Sequence, residues 1–422
     1  MSQESIRAAL TWIDGDFRRG IEVGIGDDGR IASVSETSEP PTHDRIALLP
    51  GFVNAHSHAF QRALRGRGER FERPAENFWS WREAMYELVE EMDRDSMKRI
   101  AVQAYREMRR AGMTTVGEFH YLHHDSRGDW GFDEVMLEAA AEVGLRIVLL
   151  NAFYVSGGID EPLGPAQQRF DGRSLEAYWA NMDRLQTTVD GDRQRLGVVA
   201  HSIRAVPPNL VADLHEESRV RSLVFHMHVE EQLAEIEACR EAYGTTPTGV
   251  LLEHLHLDDR FTAVHDTHTD PADMARYLAT GARVCLCPLT EANLGDGLAD
   301  VPGILAAGGR ICLGSDSNAR ISMLEEMRLM EYGQRLRGQQ RGACRDAHGR
   351  IDRVLLDAAT INGAESLGVA AGRIEIGRLA DFVLVDLDAP TLQDCREEDL
   401  ASALVLGAAE EAIAGTLIAG RP

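Results

Sequence analysis

Eight short apolar runs, separated by longer helix-forming stretches, set the strongest limit on how this chain can fold. They are ALLPGFVNAH (47–56), TTVGEFHY (114–121), RIVLLNAFY (146–154), RLGVVAHS (195–202), LVFHMHVE (223–230), FTAVHDTH (261–268), RVCLCP (283–288) and RICLGSD (310–316). Near-continuous apolar character suits strands buried on both faces. Between the runs lie MKRIAVQAYREMRRAG, FDEVMLEAAAEVG, EEQLAEIEACREAYG and PADMARYLATG, which close on glycine as helices often do. The alternation predicts an α/β chain whose parallel sheet is wrapped in helices. Eight units over roughly 320 residues fit a (β/α)8 TIM-like barrel.

The two ends read differently. Residues 7–48 hold short strand-like pieces joined by Gly-Asp and Asp-Asp-Gly turns, and 369–422 hold GRIEIGRLADFVLVDLD and TLIAGRP. The expectation is a small β-sandwich domain composed of 1–48 and 369–422, beside a barrel of 49–368.

A formal charge of −24 argues against nucleic acid or an anionic membrane surface as partner. No apolar run has the length of a membrane span, and MSQESIRAALTWIDGD lacks the basic and apolar regions of a leader, so a cytoplasmic location is expected. Cys285-Leu-Cys287 has no second pair behind it, so the six cysteines read as buried thiols rather than zinc ligands or disulfides. An anionic substrate would need local arginines to overcome the general field. Arginine is abundant, whereas Lys98 is the only lysine.

Candidate ligands for a metal stand at predicted strand ends, where a barrel of this kind builds its active site. His56 and His58 close the first strand on one face, His228 the fifth, His265 the sixth and Asp316 the eighth. Any one of the fifteen histidines has an ordinary structural reading. His120, His123, His124, His254 and His256 are left with it, and His226 lacks a carboxylate at a useful offset. Asp316 alone would pass for a helix cap. Together, His56, His58, His228 and Asp316 form an ordered nitrogen and carboxylate set suited to Zn2+ or Fe2+, with one position open for water. Two-metal barrels often bridge their ions with a carboxylated lysine at a strand end. Lys98 lies in a helical pattern, so one divalent metal is expected.

The stretches PGFVNAHSH, HVEE, GSD and GRLADFVLVD resemble the amidohydrolase superfamily. HSHAFQRALRG, FWSWREAMY, GEFHYLHHD, AHSIRAV, HMHVEEQ, VHDTHTDPADM, LTEANLGDG and LGSDSNARIS are similar to its formiminoglutamate deiminase branch, in order along the chain. The resemblance implies hydrolysis of N-formimino-L-glutamate to N-formyl-L-glutamate and ammonia, by a homodimer with one zinc. It implies metal ligation by His56, His58, His228 and Asp316, with Glu231, His265 and Asp316 in catalysis. It also implies substrate binding by Gln61, Arg82, Tyr121, His201 and Arg204. The chain departs from the branch at Asp266, where alanine is usual, and at Ile203, where leucine is usual; Asp266 is expected to face away from the barrel mouth.

The residues suit that chemistry on their own terms. A formimino diacid carries two carboxylates, and arginine offers each a fixed fork of charged donors. Arg82 could instead cover the stripe Phe78, Trp81, Met85 and Leu88 with its stem, and Tyr121 could be a core residue. Two other readings stay open: an aminohydrolase of a heterocyclic base such as guanine or cytosine, and a non-catalytic scaffold on the same fold. Retention of all six site residues counts against the scaffold.

Overall fold

The computed structural model describes residues 4–67, 69, 78–125, 128–191 and 193–422; the side chains of Phe78, Trp79 and Ser80 lie outside the described residues. Eight strands, Phe52–Ser57, Met113–His120, Arg146–Phe153, Gln194–Ala200, Phe225–Val229, Phe261–His265, Arg283–Leu286 and Ile311–Leu313, form one parallel sheet in chain order. Helices cover its outside, as a sheet of buried apolar strands requires. The helix Arg94–Arg110 shows how locally these elements are encoded. The Asp93 side chain accepts the Ser96 amide, Ser96 returns the bond, and Arg109 and Arg110 sit in the last turn.

The sheet closes at a single bridge between Ser57 and Asp316. The His58 amide donates to the Asp316 carbonyl at 2.8 Å, and the Asp316 amide to the His56 carbonyl at 3.0 Å. First and eighth strands are thus joined by the backbone of candidate ligand residues.

Three elements differ from the sequence expectation. The run 47–56 is two strands: His43–Pro50 belongs to a second sheet and Phe52–Ser57 to the barrel. Pro50 has no amide to donate, and a Cβ at Gly51 would stand 2.2 Å from the Thr114 hydroxyl, so the chain turns there from one sheet to the other. The eighth strand stops at Leu313, and three residues on Asp316 takes a left-handed backbone with φ of 43°. Between Phe382–Asp386 and Ile413–Leu417 the chain forms a helix, Leu400–Gly407, where only strands were read.

Strands from both ends build the sheets outside the barrel. Glu4–Ile6, Ile21–Ile25 and Ile31–Glu36 form one; Ala8–Ile13, Asp16–Arg18, His43–Pro50, Phe382–Asp386 and Ile413–Leu417 form the other. Ile6, Val23, Ile31, Leu48 and Phe382 pack between them. A buried ion pair fastens this unit to the barrel: Arg146 Nε meets Asp381 at 2.5 Å and its Nη2 at 3.0 Å. Among the described residues no helix is long and apolar enough to cross a membrane.

Candidate active site

The C-terminal strand ends carry the candidate ligands into one cluster. Donor atoms of His56, His58, His228 and Asp316 lie within 4.8 Å of one another, and all four residues are buried. Asp316 Oδ1 is 3.3 Å from His56 Nε2 and 3.2 Å from His58 Nε2, and His56 Nε2 faces His228 Nε2 at 3.2 Å.

Backbone carbonyls decide which ring nitrogens carry hydrogen. His58 Nδ1 donates to the Phe119 carbonyl at 2.7 Å, and His228 Nδ1 to the His201 carbonyl at 3.1 Å. In the neutral rings the Nε2 atoms are therefore lone pairs, one aimed at a carboxylate and the other at a third imidazole. Burial pushes His56 down to about 3 and His228 well below its ordinary value, so protonation does not relieve the contact between these two rings. A cation between the donors does, and ring nitrogens fixed by carbonyls behind them are a usual metal arrangement. The donor set fits a divalent metal.

A second buried histidine cluster is held largely by hydrogen bonds within the protein. Asp133 accepts His123 Nδ1 at 2.8 Å, Asn151 Nδ2 at 2.8 Å and Asn181 Nδ2 at 2.7 Å, with His120 Nε2 at 3.2 Å. His123 Nε2 is spent on the Ala152 carbonyl at 2.6 Å. Its carboxylate is already fully engaged, so the cluster anchors the loop after the second strand. The structural reading of His120 and His123 suits that geometry.

Beside the first cluster stand Glu231 and His265. His265 Nε2 is 3.8 Å from Glu231 Oε1 and 3.7 Å from Asp316 Oδ2. Burial raises Glu231 above the usual carboxylate range, as does the Asp316 charge, while His265 and Arg204 pull it back. Burial would lower His265, but Glu231, Glu291 and Asp316 lift it to about 10. Glu118, raised to about 7 by burial, accepts the Ala59 amide at 2.6 Å and fixes the turn after His58.

A cavity opens over these groups, and all five residues expected to bind substrate line it. Gln61 Nε2 donates to the Tyr121 hydroxyl at 2.7 Å. Gln61 Oε1 and Arg204 Nε are buried with no hydrogen-bond partner among the described residues. The Arg82 guanidinium lies 5.3 Å from the centre of the Tyr86 ring, and His201 Nδ1 is 3.3 Å from the Ser202 hydroxyl. Burial and then the Arg204 charge hold His201 well below its ordinary value, so it enters the cavity as a neutral imidazole. Met85 and Leu88 of the Arg82 helix are buried, as its apolar stripe requires. Asp266 is buried, accepts the Thr269 hydroxyl at 3.0 Å and is absent from the cavity wall.

Sequence reasoning missed Tyr86, Tyr154 and Phe170 as cavity walls, and Glu291 behind His265. Glu291 stands in LTEANLGDG, three residues beyond the end of the apolar run RVCLCP, and that position was the available signal.

Fold and cluster together define a barrel hydrolase with a one-metal donor set. The amidohydrolase family model matches residues 47–422, and the chain belongs to that family. It is 37% identical over 418 residues to the formimidoylglutamate deiminase of Pseudomonas aeruginosa, covering 96% of this chain and 91% of that one. It is 29% identical to a 5-methylthioadenosine/S-adenosylhomocysteine deaminase of Natronomonas pharaonis, covering 88% of this chain and 80% of the relative. The crystal structure of an amidohydrolase from Brucella melitensis superposes with a TM-score of 0.90 at 31% identity, covering 99% of this chain and 94% of that one.

Proposed function

We propose that this amidohydrolase converts N-formimino-L-glutamate and water to N-formyl-L-glutamate and ammonia. The observation that carries the reading is the pair Arg82 and Arg204 on the wall of the cavity that holds the metal donors. Two guanidinium groups suit a substrate with two carboxylates, and they offset the protein's negative field where the substrate must enter. Gln61, Tyr121 and His201 complete the binding set with neutral polar groups. The relative from Pseudomonas aeruginosa supports the same assignment.

His56, His58, His228 and Asp316 would hold one divalent ion, zinc ahead of iron on donor type. Such an ion lowers the pKa of its water toward about 7. Glu231 takes the proton from the attacking water and delivers it to the departing nitrogen, with Asp316 assisting. Burial raises the Glu231 carboxylate above its ordinary range and it faces His265 at 3.8 Å, which suits a group that first accepts and then releases that proton. His265 donates from Nε2 toward the charge that develops on the attacked carbon's oxygen. Balance requires the C=N bond broken and a C=O bond formed, with both protons of the water passing to the departing nitrogen, which leaves as ammonia. Residues 49–368 form the catalytic unit in this reading, in a cytoplasmic homodimer.

The test is ammonia release by zinc-loaded protein from N-formimino-L-glutamate, with N-formimino-L-aspartate, guanine and cytosine in parallel. Turnover confined to formimino diacids is expected; activity only on a ring base would sink the substrate assignment and keep the metal site. Arg204→Met should raise KM by roughly a hundredfold, the loss of a charge-assisted pair worth about 1.5–3 kcal/mol, and leave kcat within a few-fold. An unchanged KM would remove Arg204 from the carboxylate contact.

A further inference from the structure

We propose that Glu291 is a positioning residue for this hydrolysis, acting through His265; the inference rests on the function proposed above. Glu291 lies in the first turn of the helix Pro288–Leu294, directly after the seventh barrel strand, and is 3% exposed. Its Oε1 stands 3.3 Å from His265 Nδ1, the one hydrogen-bond partner of that nitrogen among the described residues. The same oxygen accepts the Cys287 amide at 2.8 Å, which pins the carboxylate to the start of its own helix.

His265 needs such a support. Its backbone has a φ of 79°, in the left-handed region that a residue with a Cβ adopts at a cost, and Asp266 follows at 49°. The ring stacks at 16° on His228, centroids 5.5 Å apart, which fixes its plane but leaves it free to turn over within that plane's two-fold. A half-turn about the Cβ–Cγ bond would replace Nε2 by a carbon opposite Glu231 and Asp316. A carboxylate behind Nδ1 opposes that half-turn, because Nδ1–H then loses its acceptor.

The competing account is a helix cap: Glu291 serves only the Cys287 amide. Glutamine keeps an acceptor for that amide and the shape of the side chain, but gives up the charge behind His265. Glu291→Gln should therefore lower kcat by about ten- to a hundredfold, with KM within twofold and with metal content and thermal midpoint unchanged. Glu291→Asp, which keeps the charge on a shorter arm, should recover part of the loss. In a His265→Asn background the effect of Glu291→Gln should disappear.

Wild-type kcat in Glu291→Gln would leave Glu291 a cap and overturn the proposal. So would an equal loss in the His265→Asn background, or a loss that tracks falling metal content. Wild-type turnover of N-formimino-L-glutamate in the same assay judges the substrate reading, and the ratio of variant to wild type on the substrate that is hydrolysed judges Glu291.

Discussion

Glu231→Gln is expected to keep its fold and its metal and to lose turnover by roughly a thousandfold to ten-thousandfold. Glu231 sits outside the four-donor cluster, so the substitution removes no ligand. Glutamine occupies the same space beside His265 but cannot take up a proton. The attacking water then has no base at hand, and the departing nitrogen has no acid. The measurement is kcat with N-formimino-L-glutamate, beside metal content of the same preparation. A variant with wild-type kcat would place the proton transfer elsewhere.

Chelation should have the other large effect, on activity and stability together. Stripped of its ion, the cluster leaves the lone pairs of His58 and His228 facing a carboxylate and another imidazole inside the barrel. Activity is expected to vanish, and the thermal midpoint to fall by several degrees. An ion present at a thousand times its dissociation constant contributes about 4 kcal/mol to the folded state. Calorimetry of the chelated protein, before and after zinc is returned, checks both parts. A midpoint indifferent to chelation would show that the donors are held by the fold alone.

Much of this was legible in the residues. The eight barrel strands follow from apolar runs whose period needs no knowledge of the fold, and strand ends point to His56, His58, His228 and Asp316 without any partner residue being known. What the pattern missed depends on contacts between distant segments. Pro50-Gly51 reads as the middle of one apolar run, because only the approach of Thr114 makes it a switch between sheets. Tyr154 and Phe170 look like core aromatics in sequence, and they are buried; their second role comes from the cavity they border. Glu291 is a helix-start glutamate by every local rule. Its contact with His265 arises from sheet order, which sets the sixth strand against the seventh.

A barrel is a hoop, and a hoop parts at its join. Here the join is the backbone bridge from His56, Ser57 and His58 to Asp316, and the side chains of the same segments converge in the cluster that would hold the ion. Parting the join spreads three of the four donors; losing the ion removes the rivet that spans it. Solvent exchange of the His58 and Asp316 amides is therefore expected to slow when zinc is returned to the chelated protein, and exchange indifferent to zinc would show that the join holds by itself.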